Sequence, residues 1–455
     1  MAIALAVAAA ATFLIALFHD ASVPDTRAGV FPKTPANDAR TVRMQTLDTA
    51  FPRQPFSDFT EKHTHARELY NSPATPLSPR FSLPELPFTS SSDPATAATA
   101  APPRTSATHD DVVALLAHAA QSGLWHALDD ILQAPPSSQL HLEAPDLFPV
   151  LNQINTALLL EIKARDETLR GLHDEALRTA VTIVDFSKKL SASGGTVTSW
   201  LAAMSIHGIG LRATAAAAVG IAAGAPTPPA LREALAHVTV SRFDARETEN
   251  FIHGEAAWML GLIEILPRRS WFDLLTYKPN LTKNRYLARM TRAAALAGCD
   301  EVALAAADID CGVEPPDRRW LASHNPFNMA GREFLQISQI EFKEIFRRDM
   351  TLRSGTSCVE TLLAIQLYRA AHDGTLPPSL DALVPALLLA LPTDARNHVP
   401  IRYSVPDHVV WFPVKAWWLP GAPESALPFP RHADEDPDVQ TTWNEYENVF
   451  FLVPP

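Results

Sequence analysis

Basic runs and glycine are both scarce in this sequence. Its 455 residues contain 38 Lys and Arg against 50 Asp and Glu, giving a formal net charge of −12. No basic cluster is available to neutralise phosphates, so nucleic acid is not expected as a partner. Glycine is limited to 17 residues, which disfavours a Gly-rich β architecture. Hydrophobic residues make up 47%, enough for a sizeable buried core in two or three domains.

Cysteine is also scarce. The chain has three cysteines, Cys299, Cys311 and Cys358, and an odd, small number is not a disulfide framework. Cys299 and Cys311 flank a short helical pattern and could pair in an oxidising compartment; the alternative is that all three are small core residues. No Cys/His spacing indicates zinc, and no motif indicates another metal or a cofactor.

The first 18 residues carry no charged side chain. A run of this length can span the hydrocarbon core of a bilayer as a helix. A cleaved signal peptide is one alternative, although a basic n-region and a small-x-small cleavage site are missing, and a cytoplasmic protein is another. We predict a single-pass anchor in a bacterial inner membrane, with the bulk of the chain in the periplasm and the membrane as a partner.

Composition and periodicity divide the rest of the chain into three regions. Residues 19–107 are rich in Pro, Ser, Thr and Ala and are predicted to form a disordered linker. Residues 108–350 show paired amphipathic patterns without a repeat and are predicted to form a helical domain. Residues 351–455 predict a small α+β ending: a helix, a hairpin and an aromatic tail. The predicted fold class is therefore mainly α, and we expect the ending to pack onto the helical domain.

Local signals set several boundaries. Gly123 is expected to divide the first helix, whereas Phe148–Leu190 reads as one long helical pattern. Residues 197–223 are nearly uncharged and long enough for a second membrane span, but their Gly, Ser and His residues favour a buried helix. Ser357 is expected to cap a helix over Cys358–Ala371, and Ser379 a short helix over Leu380–Leu389.

The ending carries a resemblance to a known family. Leu363–Arg369, Gly374–Pro377, Ser379–Pro385 and Pro400–Tyr403 follow in the order helix, Gly-x-x-Pro turn, short Ser-Leu-x-x-Leu helix and small sheet. This segment resembles the C-terminal half of the major, G-type pseudopilins of type II secretion. The processing motif and the calcium loop of that class have no counterpart here, so filament assembly and calcium binding are not implied.

A longer resemblance adds Tyr277–Thr282 and Asn325–Gly331 to the same ending. Together these segments resemble an uncharacterised family of membrane-anchored proteins from verrucomicrobial, planctomycete and proteobacterial genomes. Members of that family couple a helical domain to a pseudopilin-like ending. The resemblance implies an architecture and a membrane address, and it implies no activity.

Residues that could carry chemistry are few. Glu249 and His253 are four positions apart on a predicted helix, with Glu247 and Glu255 close by in sequence. A carboxylate and an imidazole on one helix face could move a proton or hold a metal ion. No His-Glu-x-x-His motif is present, and a solvated or salt-bridged face is the alternative.

Two further patterns are better explained by structure than by chemistry. Gly208–Ala213 has the form Gly-x-Gly-x-x-Ala, but it lies within a helical run without the preceding strand that a dinucleotide site requires. Close helix packing is the preferred explanation for its glycines. Ser354–Cys358 contains nucleophilic residue types without a Gly-x-Ser-x-Gly turn.

The tail is unusually aromatic. Trp411, Trp417 and Trp418 could form an interaction surface, or they could pack over the helical domain. We therefore expect a membrane-anchored, non-enzymatic scaffold or binding protein of an envelope or secretion assembly, with an unidentified protein partner. The alternative is a periplasmic enzyme of unknown reaction with a site around Glu249 and His253.

Overall fold

A computed structural model describes residues 109–121, 123–133, 147–192, 197–221, 227–265, 329–395, 398–406, 408–412 and 449–451. The predicted membrane segment, the predicted linker, Trp417, Trp418, Cys299 and Cys311 lie outside these residues. Within them the fold is mainly α-helical, with a small antiparallel sheet near the end, so the mainly α prediction is confirmed.

The described residues contain eight α-helices, one 3₁₀ helix and three short strands, numbered here in chain order. They are α1 (His109–Gln121), α2 (Leu124–Gln133), α3 (Leu147–Leu169), α4 (His173–Ser191), α5 (Val197–Val219), α6 (Pro229–Val240), α7 (Ala245–Ile265), α8 (Met329–Ala371), the 3₁₀ helix (Leu380–Leu383), β1 (Arg402–Ser404), β2 (Val409–Trp411) and β3 (Val449–Phe451).

Helix α5 forms the centre of the body. It packs against α3, α4, α7 and α8, and nearly all of its residues are buried. One side, with Trp200 and Leu211, contributes to a hydrophobic cluster shared with α6, α7 and α8. The other side, with Ile206 and Ile209, contributes to a second cluster with α1, α2 and α3. A helix that is apolar on every side is enclosed by its neighbours, which confirms the buried helix predicted here.

No described helix is both long enough and apolar enough to cross a membrane. This finding includes α5, whose sequence is long enough and sufficiently uncharged to have suggested a second membrane span. Its single strongly charged residue, Arg212, is buried inside the body.

Helix α8 joins the ending to the rest of the body. It runs unbroken through residues 350 and 351, where the sequence predicted a domain boundary. Its second half contributes Cys358, Leu362 and Ile365 to the same hydrophobic cluster as α5 and α6. The cluster continues into the ending through Leu383 and Val410. The ending therefore packs onto the helical body, as the apolar pattern of its helix predicted.

The sheet is antiparallel, with β2 in the middle. Arg402 pairs with Trp411 between β1 and β2, and Val409 pairs with Phe451 between β2 and β3. The hairpin that alternating residues predicted around Pro406 is therefore present. Val410 and Phe412 are buried on the side of the sheet that faces α8, and they belong to the hydrophobic cluster shared by α5, α6, α7 and α8, called the large cluster below.

Three local predictions were wrong. The pattern over Phe148–Leu190 is divided at Gly171, whose φ of +76° ends α3; Leu172 N–H donates to the Glu167 carbonyl in a Schellman motif. Ser357 is not an N-cap, because it lies inside α8 and its carbonyl accepts from Thr361 Oγ. The helix after Ser379 is only a 3₁₀ turn, since Pro385 disfavours helix at the residue before it.

Candidate functional site

His207 lies at the centre of the body, where α4, α5 and α8 meet. Its Nδ1 is 2.8 Å from Ser187 Oγ, and its Nε2 is 3.4 Å from Thr356 Oγ1. Each hydroxyl also lies within hydrogen-bonding distance of a carbonyl in its own helix, Ser187 Oγ at 2.6 Å from Val184 O and Thr356 Oγ1 at 2.9 Å from Leu352 O. Neutral His207 therefore donates to one of the two hydroxyls and accepts at the other ring nitrogen, in the order that its tautomer sets.

The environment of His207 keeps it uncharged. Burial lowers its pKa to about 3, and the nearby positive charge of Lys188 contributes in the same direction. His207, Ser187 and Thr356 are all essentially inaccessible to solvent, and the Phe243 ring packs 4.8 Å from the imidazole. A Ser–His contact can activate a nucleophile, but here its oxygen and ring are enclosed by three helices. The arrangement is suited to fixing the helices against one another.

A second polar group links α4 to the start of α7. Lys188 Nζ lies 2.6 Å from Glu247 Oε2, and Ser191 Oγ donates to Glu247 Oε1 at 2.8 Å. Glu247 also closes a capping box with Asp244: each side chain accepts from the backbone N–H of the other residue, at 3.0 and 2.8 Å. One carboxylate therefore starts α7 and ties it to α4.

A third polar group lies at the interface of α7 and α8. Arg353 Nη2 is 2.7 Å from Asp349 Oδ2 and 3.4 Å from Thr248 Oγ1. Burial raises the pKa of Asp349, while the charge and hydrogen bond of Arg353 oppose that rise. The carboxylate of Glu247 raises the pKa of Asp349 further, and the positive charge of Lys188 lowers it. The second polar group therefore interacts electrostatically with the third.

Arg212 is the exception in the otherwise uncharged α5, and its partner lies on α3. Arg212 Nε is 3.5 Å from Glu161 Oε1, which is also 3.2 Å from Arg165 Nη2. All three side chains are buried. Breaking a buried pair of this kind leaves a charge without its counterion, which typically costs about 3–5 kcal/mol.

The predicted carboxylate–imidazole pair lies on α7. Glu249 and His253 are both half-buried there, four residues apart on one side of the helix. Their sequence neighbours Glu247 and Glu255 are the buried members of the group; Glu255 Oε2 accepts from Val197 N–H at 2.8 Å and so satisfies the start of α5. Of the four residues, two serve contacts between helices.

The described tryptophan of the predicted interaction surface is not exposed. Trp411 lies in the central strand β2 with 9% of its surface accessible. Trp417 and Trp418 lie outside the described residues. Trp411 is therefore buried in the sheet, and an interaction surface at Trp417 and Trp418 stays a prediction.

The Gly208–Ala213 pattern does serve helix packing. A Cβ built on Gly210 would lie 2.7 Å from Val184 Cγ2 and 2.9 Å from Val184 N, on the facing helix α4. Helices α4 and α5 approach so closely there that a methyl group does not fit. This contact brings Ser187 within hydrogen-bonding distance of His207, one turn along each helix.

Among the described residues, no group of three or more His, Cys, Asp or Glu is placed to hold a metal ion. No family model matches the chain, and neither a curated protein nor a solved structure is found to be similar to it.

The four buried polar groups were not predicted from the sequence, although local spacing signals part of three of them. Asp244 and Glu247 have the three-residue spacing of a capping box directly before an apolar helical pattern. Asp349 with Arg353, and Glu161 with Arg165, have the i,i+4 spacing of helical ion pairs. The contacts between helices join residues far apart in sequence, such as His207 and Thr356, at a separation of 149 positions. No local pattern encodes such a pair.

Proposed function

We propose that this chain is a non-enzymatic scaffold or binding component of a bacterial envelope assembly. Residues 1–18 hold it in the inner membrane, and the folded body lies in the periplasm. The observation that carries this proposal is that the buried polar groups of the body link its helices. The buried groups around His207, Glu247 and Arg353 contain the residue types best suited to catalysis, and they connect helices to one another inside the body.

The position of α8 supports a fixed body over a filament subunit. In the pseudopilins that the ending resembles, the corresponding helix continues into the stem of a filament. Here α8 packs against α5 and α6, and its residues Leu362 and Ile365 are fully buried. A helix enclosed in this way is unavailable as a stem, whereas it gives the ending a rigid orientation relative to α1–α7.

The membrane address rests on the sequence. The uncharged run of residues 1–18 precedes a Pro-rich segment, and the resemblance to anchored proteins points in the same direction. Such a tether would keep the body close to other envelope proteins, which raises the effective concentration for binding a partner. A binding component gains more from this arrangement than an enzyme acting on a diffusing substrate.

The enzyme alternative centres on Glu249 and His253. Both are half-buried on α7, and within the described ranges no hydrogen bond or ion pair is seen between either of them and the buried groups. The Glu249→Ala/His253→Ala double variant separates the two functions. A scaffold with this double substitution should still form its complexes, because neither side chain supports the contacts between helices.

The test uses a tagged full-length chain, expressed at its native level and cross-linked in intact cells before gentle membrane solubilisation. We expect a discrete heteromeric complex that is retained by the double variant, together with full complementation of any deletion phenotype. A chain recovered as a free monomer, or a double variant that forms the complex but fails to complement, would contradict the scaffold function.

A further inference from the structure

A protruding apolar loop follows the 3₁₀ helix. Residues 384–391, here called the 384–391 loop, read Val-Pro-Ala-Leu-Leu-Leu-Ala-Leu and contain no polar side chain. Leu389 at its tip is 96% exposed, and Pro385, Ala386 and Ala390 are exposed beside it. Single exposed leucines are common on protein surfaces, but here Leu389 is exposed together with three further apolar residues of the same loop, and a group of exposed apolar residues is a feature of contact sites.

The loop is held firmly on the body. Leu383 and Leu388, on either side of its first turn, are 0% and 4% exposed and belong to the large hydrophobic cluster. Leu387 N–H and Leu388 N–H both donate to the Leu383 carbonyl, at 2.9 and 3.1 Å. The buried leucines fix the base of the loop, so that Leu389 is displayed in one position at little entropic cost on binding.

The sequence on either side of the loop favours an uncharged partner surface. No Lys or Arg occurs between Ala370 and Ala395, and the charged residue nearest before the loop is the exposed Asp381. Recognition of an acidic protein or an anionic lipid headgroup would call for basic side chains at this site. The loop offers only apolar contact.

The residues that precede the described body point to the bilayer as this uncharged surface. They comprise 108 residues and begin with the uncharged run 1–18. A disordered linker over residues 19–107 would span roughly 50–75 Å, and more where its prolines extend it, and it keeps the body tethered to the bilayer that holds the anchor. At this distance a contact as weak as one inserted leucine, a factor of roughly ten to a hundred in partitioning, is enough to orient the body.

We propose that the 384–391 loop rests on the outer leaflet of the membrane, with Leu389 inserted at the interface between headgroups and acyl chains. This inference rests on the membrane anchoring proposed above. The contact gives the tethered body a preferred orientation and directs the opposite side of the body towards a partner. It is hydrophobic, so it should be independent of anionic lipid and of salt.

The experiment places single full-length chains in nanodiscs of neutral phosphatidylcholine, with an environment-sensitive fluorophore on an introduced cysteine. Cys299 and Cys311 are replaced by serine, and Cys358 stays because it is buried in α8. Labels are placed by Leu389→Cys in the loop, Ala236→Cys on the exposed side of α6 as a matched control, and Ala10→Cys in the anchor. Brominated lipids report which labels contact acyl chains.

We expect strong quenching at positions 10 and 389, weak quenching at 236, and the same result in low and high salt. Quenching at 10 without quenching at 389 would overturn the loop contact and leave the anchoring intact. Absence of quenching at both positions would overturn the anchoring as well. A blue-shifted but unquenched label at 389 would assign the loop to a protein contact and overturn the inference.

A label at Ala386→Cys provides a second measurement that leaves Leu389 in place. Adding Leu389→Asp to that chain should lower its quenching several-fold, because a carboxylate at the tip resists insertion. Leu389 is almost fully exposed, so this substitution leaves the core unchanged. Unchanged quenching in the Leu389→Asp chain would show that Leu389 does not mediate the contact.

Discussion

Replacing His207 with asparagine tests whether this buried imidazole makes the body sensitive to acid. The asparagine amide offers one donor group and one acceptor, as the neutral imidazole does, but it cannot titrate. In the folded chain the pKa of His207 is lowered from 6.5 to about 3, first by burial and then by Lys188. The unfolded chain therefore takes up a proton on this residue at a higher pH than the folded chain.

The sign and the size follow from proton linkage. The stabilisation from neutral His207 is fully present above pH 6.5 and is lost as the pH falls towards about 3. Between pH 7 and pH 5, the unfolded state gains about 2 kcal/mol from this protonation, at 1.36 kcal/mol per pH unit below its pKa. We expect His207→Asn to lose about 2 kcal/mol less than the wild type over that interval.

The assay is urea unfolding of the full chain in mild detergent, followed by far-UV circular dichroism at pH 7 and pH 5. The asparagine variant can be less stable at both values, so the readout is the difference between the two. His118→Asn on the exposed surface of α1 is the matched control and should keep the wild-type difference. Equal pH losses for wild type and His207→Asn would refute the reasoning.

Three further substitutions probe the packing of the same body. Gly210→Ala should lower the free energy of unfolding by about 1–3 kcal/mol. Adding Val184→Ala should restore only part of this loss, because the Val184 backbone nitrogen also crowds the new methyl group. Full recovery of stability in urea unfolding would contradict the backbone contact. Leu367→Ala, at a site 5% exposed in α8, should cost about 2–5 kcal/mol, and a loss below 1 kcal/mol would show that α8 is not enclosed. Burial, opposed by Arg353, raises the pKa of Asp349 in the folded chain above 3.8. The folded chain therefore binds a proton on Asp349 at a higher pH than the unfolded chain, and the wild type gains stability as the pH falls towards 3.8. Asp349→Asn should remove this gain. An unchanged pH slope in that variant would argue against the raised pKa.

Elements with strong local signals were predicted well. Gly123, with a φ of +80°, separates α1 from α2. The nearly uncharged run over residues 197–223, interrupted by Gly, Ser and His, predicted the buried helix α5. These features depend on residue type and spacing alone, which is why the sequence was sufficient to predict them.

The start of α8 could not be predicted because packing overrides local preference. Ser354, Thr356 and Ser357 are typical of helix ends, where their hydroxyls cap free N–H groups. In α8 they lie in mid-helix, and Thr356 Oγ1 instead donates to the Leu352 carbonyl at 2.9 Å while lying beside His207. All three side chains are buried, and Thr356 lies beside His207 of α5, a helix far away in sequence.

The candidate site shows the same limit. Helical periodicity placed Glu249 and His253 on one side of α7, but it could not show which carboxylates face inwards. Glu247 and Glu255 are the buried ones, because Lys188 and the Val197 N–H supply partners from other helices. A sequence alone assigns carboxylates to solvent, and only the three-dimensional neighbours reverse that assignment.

The central claim is that residues 1–18 hold a periplasmic body at the inner membrane. A pair of reporters fused after Pro455 tests it directly: one is an enzyme active only in the periplasm, and the other is a fluorescent protein that matures only in the cytoplasm. The account predicts an active periplasmic reporter and a dark fluorescent fusion, and deletion of residues 1–18 should reverse both. A fluorescent fusion of the intact chain, with an inactive periplasmic reporter, would contradict the claim.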